Sequence, residues 1–231
     1  MAPGSNVSVF IDGWNLHRAC ERAFGHGPIH PLLLGRQLAG DRRLESVHYY
    51  VGVPDHRVEP DNAQVRTRQL HLMTATGVDV TQKKLRYRWE WKLDKRSLPH
   101  PARQQGETLE ATAVSKNQGR EKGVDVALAL DAFFIAQDPD IDVVIIVSAD
   151  TDLDLVPLMA QKLPKATGAR VENAIVNRHG KKIINRHFAW SHQIDKKTFN
   201  AIRDETDYRE KMTKKRRREL AAEVVGPYPL R

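Results

Sequence analysis

Residues 7–11 (Val7, Ser8, Val9, Phe10, Ile11) form a short run rich in β-branched and apolar side chains that stops at Asp12-Gly13. Such a run predicts a buried parallel strand that delivers an acid at its carboxyl end. The pattern then predicts a helix over 14–24, a turn-rich loop over 25–31 and a second short helix over 32–39. Residues 44–53 are rich in Val and Tyr and end before Pro54, which predicts a second strand. A helix is expected over 62–75, stopped by Gly77, and a third strand over 78–83. Residues 124–136 are apolar over a helical length, and Asp138-Pro139-Asp140 ends them. The unbroken apolar run 143–147 predicts a central strand opening directly into Ser148-Ala149-Asp150-Thr151-Asp152. A helix over 153–163, a strand over 169–176 and a short sheet-edge segment over 183–190 complete the regular pattern.

Between these elements, residues 84–122 change character. Tyr87, Trp89 and Trp91 alternate with Arg86, Arg88, Glu90 and Lys92, and Pro99 and Pro101 follow. This predicts a β-ribbon and a mobile loop. Strands alternating with helices predict an α/β fold with an open, mostly parallel central sheet and helices on both faces. Sites in such sheets lie beyond the carboxyl ends of the strands. Asp12 and Asp150 both fall at such ends. The expected organisation is one domain over 7–194 with an insertion at about 84–120, then a basic C-terminal helix or tail over 195–231.

Composition narrows the function. The chain has 231 residues, 40% of them hydrophobic, enough for one core with an insertion. A single cysteine, Cys20, excludes an internal disulfide framework and a cysteine zinc cluster. Residues 1–6 are short and polar, leaving no room for a signal peptide, and no segment has the ~20 apolar residues of a membrane span. A cytoplasmic protein without a membrane partner is the expectation.

The formal charge of +8 and a pI near 9.6 suggest a polyanionic partner. Residues 81–122 hold 11 Lys or Arg against five acids, and residues 195–231 hold 11 against seven, with the run Lys214 to Arg218. In contrast, residues 124–154 hold eight acids and no Lys or Arg. An acidic island in a basic chain is what a cation-dependent phosphate chemistry needs.

Phosphodiester hydrolysis requires an activated water, neutralised phosphate charge and support for the leaving oxygen, all of which bound Mg²⁺ or Mn²⁺ supplies. These hard cations take oxygen ligands, commonly a few carboxylates completed by water and substrate phosphate. Asp12, Asp150 and Asp152 could each simply cap a following helix. Two apolar strands that both end in an acid at the ligand-binding edge are less easily explained that way. Asp125 lies in the first turn of an apolar helix, where a core-facing carboxylate is costly unless paired or bound to a cation. Asp131 lies about 120° around that helix from Asp125 and ranks second.

Three segments resemble a known family. Phe10-Ile11-Asp12-Gly13-x-Asn15-Leu16, then Lys122-Gly123-Val124-Asp125-Val126-x-Leu128, then Val147-Ser148-x-Asp150-x-Asp152-Leu153 with Pro157-Leu158 look like the signature blocks of NYN-domain proteins, LabA-like branch, within the PIN-like nuclease superfamily. The resemblance spans roughly residues 7–190. It implies a Rossmann-like α/β/α sandwich and a divalent-metal-dependent endoribonuclease using Mg²⁺ or Mn²⁺. By position, Asp12, Asp125, Asp150 and Asp152 would be catalytic and metal-binding, with Asp154 an alternative fourth acid. Asn15 would orient Asp12 or contact phosphate. Ala149 stands where the family commonly has glycine, and Leu153 where it has phenylalanine.

For the substrate, RNA is the expected partner, with Asn15, Ser148, Lys122, Arg86, Arg88 and Trp89 as candidate contacts; a homo-oligomer stays open. Stacking of Tyr87, Trp89 and Trp91 on unpaired bases competes with a ribbon whose aromatic side covers the core. The ten histidines show no metal-ligand spacing. Ser148 lacks a nucleophile elbow, and orienting the acids or binding phosphate suits it better. A non-catalytic RNA-binding module of the same fold and a nuclease acting on DNA are the competing readings.

Overall fold

A computed structural model of the chain describes residues 4–93, 113–163, 168–178 and 184–226. The elements in chain order are β1 (Asn6–Asp12), α1 (Gly13–Phe24), α2 (Pro31–Ala39), β2 (Arg43–Val53), α3 (Pro60–Ala75), β3 (Asp79–Lys84), β4 (Arg86–Leu93), β5 (Ala113–Arg120), α4 (Val124–Ile135), β6 (Val143–Val147), α5 (Leu155–Ala160), β7 (Arg170–Val176), β8 (Ser191–Ile194), α6 (Lys196–Ile202) and α7 (Lys214–Val225). Six strands form one sheet in the order β3-β2-β1-β6-β7-β8, and every neighbouring pair is parallel. With the ribbon strands set aside, this is the doubly wound order 3-2-1-4-5-6. The expected α/β/α sandwich is therefore present.

The apolar runs are unbroken because both faces of the sheet are covered. Val7, Val9 and Ile11 of β1, with Val143, Ile145 and Val147 of β6, enter the core under α1, α2 and α6. Phe10, Val144 and Ile146 enter the opposite core under α4 and α5, with Leu128, Val156 and Val171. In α4 the inner positions Val124, Leu128 and Ala132 recur every four residues.

The sheet reverses its direction of growth between β1 and β6. From β1 the chain adds β2 and β3 on one side; from β6 it adds β7 and β8 on the other. Adjacent loops at that reversal leave in opposite directions and open a crevice at the carboxyl ends of β1 and β6.

Several elements differ from those the pattern predicts. The helix expected over 153–163 is a 3-10 turn at Thr151–Asp154 followed by a short α5 ending at Ala160. The edge strand is the polar segment Ser191–Ile194 rather than residues 183–190; its backbone pairs with β7, and Asn177 Nδ2 donates to Gln193 Oε1 at 2.8 Å. The C-terminal region carries two helices, with Phe199 and Ile202 of α6 in the core and α7 packed on α2 and α3.

The expected ribbon is the antiparallel pair β4-β5. Arg86 and Arg88 are exposed, whereas Tyr87 turns inward, where its hydroxyl accepts from Asp55 N and donates to Glu59 Oε1. The loop predicted around Pro99 and Pro101, residue 183 and the end of the tail lie outside the described residues. No helix among the described residues is long and apolar enough to cross a membrane.

Candidate active site

Asp12 ends β1 and is the N-cap of α1. Its Oδ1 accepts from Asn15 N at 3.0 Å, and its Oδ2 accepts from Ser148 Oγ at 3.3 Å. Gly13 is required by packing: a Cβ there would stand 2.6 Å from the Tyr49 hydroxyl oxygen. The Asp12-Gly13 pair is thus a strand-to-helix junction pressed against Tyr49, with Asp12 8% exposed.

Asp150 occupies the matching position after β6. Its Oδ1 accepts from Asp152 N at 3.0 Å and caps the 3-10 turn. Asp150 N in turn donates to Ser148 Oγ at 3.1 Å, and Ala149 N donates to Asn15 Oδ1 at 3.2 Å. Ser148 and Asn15 therefore tie the two strand ends together. Asp125 arrives from the first turn of α4, entered through Gly123 in the left-handed conformation at φ 75°.

Asp12, Asp125 and Asp150 line one cleft of about 310 Å³ together with Glu121, Asn15, Trp14, Arg18 and Arg22. Burial pushes the Asp12 carboxyl above its ordinary range, and the nearby Asp150 charge acts in the same direction. The hydrogen bonds from Asn15 and Ser148 oppose the rise. Burial likewise raises Glu121, whose Oε1 accepts from Gly52 N. Among the described residues none of these four acids forms an ion pair. The Arg66 and Arg18 charges act on Glu121 without forming an ion pair, and clustered carboxylates left unpaired in this way are an environment a hard cation relieves.

The cleft is open rather than a closed cage. Among the described residues no three His, Cys, Asp or Glu side chains converge enough to hold an ion alone.

Of the other residues anticipated from sequence, Asp152 is exposed and outside the cleft. Asp154 accepts from Asn185 Nδ2 at 2.7 Å and lines a neighbouring cavity. Asp131 is exposed and accepts from the Tyr50 hydroxyl at 2.8 Å. Lys122 is exposed just before Gly123. Arg86 and Arg88 lie on the ribbon and not in the cleft lining, and the side chain of Trp89 is outside what the structure describes.

Glu121, Trp14, Arg18 and Arg22 also line the cleft, and sequence reasoning did not single them out. The last three carried a signal, because they recur every four residues on α1 directly after Asp12 and so share one helix face. The Arg18 guanidinium carbon lies 4.6 Å from the Trp14 ring centroid, and the His17 ring stacks on Trp14 at 5.8 Å. Burial, followed by the Arg66 charge, lowers His17 below its ordinary value, which favours the neutral ring.

The family model for the NYN domain matches residues 6–189. No curated protein matches at a significant level. Among solved structures, the crystal structure of a protein of unknown function from Vibrio parahaemolyticus superposes with a TM-score of 0.53; it is 18% identical and the match covers 85% of this chain and 96% of that one. At that identity the likeness is one of fold.

Proposed function

The chain belongs to the NYN domain family, a family of PIN-like nucleases, and from that premise we propose that it is a divalent-metal-dependent endoribonuclease of the LabA-like branch. The observation that carries the reading is the meeting of Asp12, Asp125 and Asp150, from three separate elements, in one cleft walled by a basic and aromatic helix face.

Asp12, Asp125 and Asp150 would hold Mg²⁺ or Mn²⁺. When bound, the ion would lower the pKa of water and neutralise phosphate charge. Asn15 and Ser148 keep the acids in register through the bonds described above. Glu121, held at one oxygen by Gly52 N, is placed to take a proton from a water in the cleft. Arg18 and Arg22 would receive the phosphates flanking the scissile bond, and Trp14 would stack on an unpaired base. Asp152 or Asp154 would complete the acid set only after the 3-10 turn adjusts to substrate. RNA is favoured over DNA by the family blocks. A cytoplasmic setting agrees with the one cysteine, Cys20, which is buried with its thiol pushed up to about 12 by burial.

The test is cleavage of fluorescent single-stranded RNA, hairpin RNA and single-stranded DNA with Mn²⁺, Mg²⁺ or EDTA. Metal-dependent cutting of RNA, reduced at least about 100-fold by Asp150→Asn, is expected. Binding that persists without cutting in any metal would instead make the protein an RNA-binding module.

A further inference from the structure

Helix α4 is apolar on both sides. Val124, Leu128 and Ala132 face the core, while Val126, Leu130 and Phe134 recur at the same four-residue spacing on the outer side and are 58%, 52% and 65% exposed. The neighbouring α5, which packs on α4, adds Leu155, Leu158 and Met159 to the exposed set. A helix that is apolar all round is normally buried, so the outer face of α4 calls for a cover. At roughly 150–200 Å² for a whole large side chain, the six expose about 500–600 Å² between them. That is the upper end for an apolar patch on an ordinary monomer, and most of the ~800 Å² that each partner brings to a standard interface.

The charges around this face select what covers it. Residues 124–154 hold eight acids and no Lys or Arg, so the face repels RNA and anionic lipid and fits a protein. Its order along α4 fits one protein in particular. The four-residue series of Val126, Leu130 and Phe134 carries on to the exposed Lys122 before the helix and to Asp138 after it. Side chains at that spacing form the ridges by which helices most commonly pack. Laid antiparallel against itself about Leu130, the series is self-complementary: Lys122 meets Asp138 and the small Val126 meets the large Phe134, each twice over. A two-fold axis brings one surface patch against itself in this way. In the same register Asp131 falls opposite Ala129 and Asp125 opposite Ile135, so like charges do not oppose each other.

We propose that the face formed by α4 and α5 is covered by a second copy of this chain, with the two α4 helices antiparallel across a two-fold axis at Leu130. Phe134 of each copy packs beside Val126 of the other, the α5 side chains flank them, and Lys122 pairs with Asp138 at the rim. Asp125 lies five residues from Leu130, about 7.5 Å along the helix, so the dimer holds its two acid clefts near the axis. The pairing rests on the apolar face and its charged ends, and it stands whether or not the cleft cuts RNA.

Sedimentation velocity and light scattering of the intact chain over about 1–100 μM test it. A species of twice the 26.3 kDa chain mass is expected. Phe134→Asp, at an exposed position, should give a monomer with the circular dichroism spectrum of the wild type. Lys122→Glu and Asp138→Lys should each weaken dimerisation at least about 10-fold by setting like charges against each other. The double variant, and an equimolar mixture of the two single variants, should both recover the dimer. That recovery leaves the apolar face untouched and is not something a folding defect would produce. A wild-type chain that stays monomeric throughout overturns the proposal and leaves the face to a different protein. A dimer that persists in a folded Phe134→Asp overturns it by placing the contact elsewhere. Charge reversals that leave the dimer unchanged, or that are not rescued in combination, overturn the antiparallel pairing.

Discussion

At the residue scale, Asp12 joins two roles that compete on paper. Capping a helix and holding a cation were alternative explanations of the same carboxylate, yet Asp12 caps α1 with Oδ1 while lining the cleft. Asp150 does the same with the 3-10 turn and leaves Oδ2 without a described partner. The cap fixes the rotamer and so would preorganise the carboxylate for the ion that the proposed function calls for.

The electrostatic consequence is testable. The folded-state pKa of Asp12 is raised, so its contribution to stability is present below the unfolded value near 3.8 and is lost as pH rises through the folded value. At neutral pH the metal-free protein therefore carries a desolvated charge. Asp12→Asn keeps an N-cap of equal quality and removes that charge; it should stabilise the metal-free protein by roughly 0.5–2 kcal/mol in urea unfolding. Mn²⁺ should raise the melting temperature of the wild type and leave an Asp12→Asn/Asp150→Asn variant unmoved. Equal shifts in both proteins would mean the ion sits elsewhere.

At the element scale, α1 is the part that the proposed function turns toward substrate. Its stripe of Trp14, Arg18 and Arg22 flanks the acids, whereas Arg86 and Arg88 point to solvent on a ribbon whose Tyr87 is anchored inward. Replacing Arg18 and Arg22 by Ala should weaken binding to RNA of any sequence, and the slope of log affinity against log salt should flatten by about 0.7 for each phosphate that is no longer neutralised. Trp14→Ala should weaken binding to single strands by about 1–3 kcal/mol, with little effect on duplex RNA. Filter binding across a salt series checks both. Unchanged salt slopes in the double variant would move the substrate path to another face.

How far these elements could be read from the chain depended on how local their cause was. Residues 143–147 were legible because five consecutive apolar side chains are buried on two faces at once. Asp12, Asp125 and Asp150 were legible because each acid breaks an apolar pattern. Ser191–Ile194 was not, since a polar sequence becomes a strand only when β7 offers it a ladder. Glu121 was hidden for a similar reason: it lies among basic residues of an irregular segment, and only the approach of Gly52 brings it to the cleft.

At the scale of the whole molecule, the two halves of the sheet are joined by a buried charge network as well as by apolar packing. Arg42, just after α2, donates from Nη1 to Glu172 Oε2 on β7 at 2.9 Å and from Nη2 to Leu38 O at 2.7 Å. His192 on β8 lies 2.7 Å from the same Glu172 oxygen. Burial works against ionised Glu172, but the hydrogen bonds from His192 and Arg42, with their charges, outweigh it and hold its pKa at about 2 against an ordinary 4.5. That stability is present above pH 4.5 and is lost as pH falls toward 2. Arg42→Met should cost roughly 1.5–3 kcal/mol at neutral pH, because it removes one charge-assisted hydrogen bond from the buried Glu172 carboxylate while Arg170 and His192 keep theirs. The variant should also show a flatter acid limb than the wild type in urea midpoints measured from about pH 5 to about pH 2.5, the window in which Glu172 takes up its proton. A loss below about 1 kcal/mol would show the network to be dispensable.

The reversal of the sheet between β1 and β6 has a consequence for the chain during its own synthesis. Asp12 is made early and seated on a strand, but its partners Asp125 and Asp150 come more than a hundred residues later. They reach it only when β6 docks along β1 on the edge that β2 leaves free. An unfinished or half-folded chain therefore holds one acid and no cleft. On the proposed nuclease reading, cleavage would have to wait until the strand order is complete.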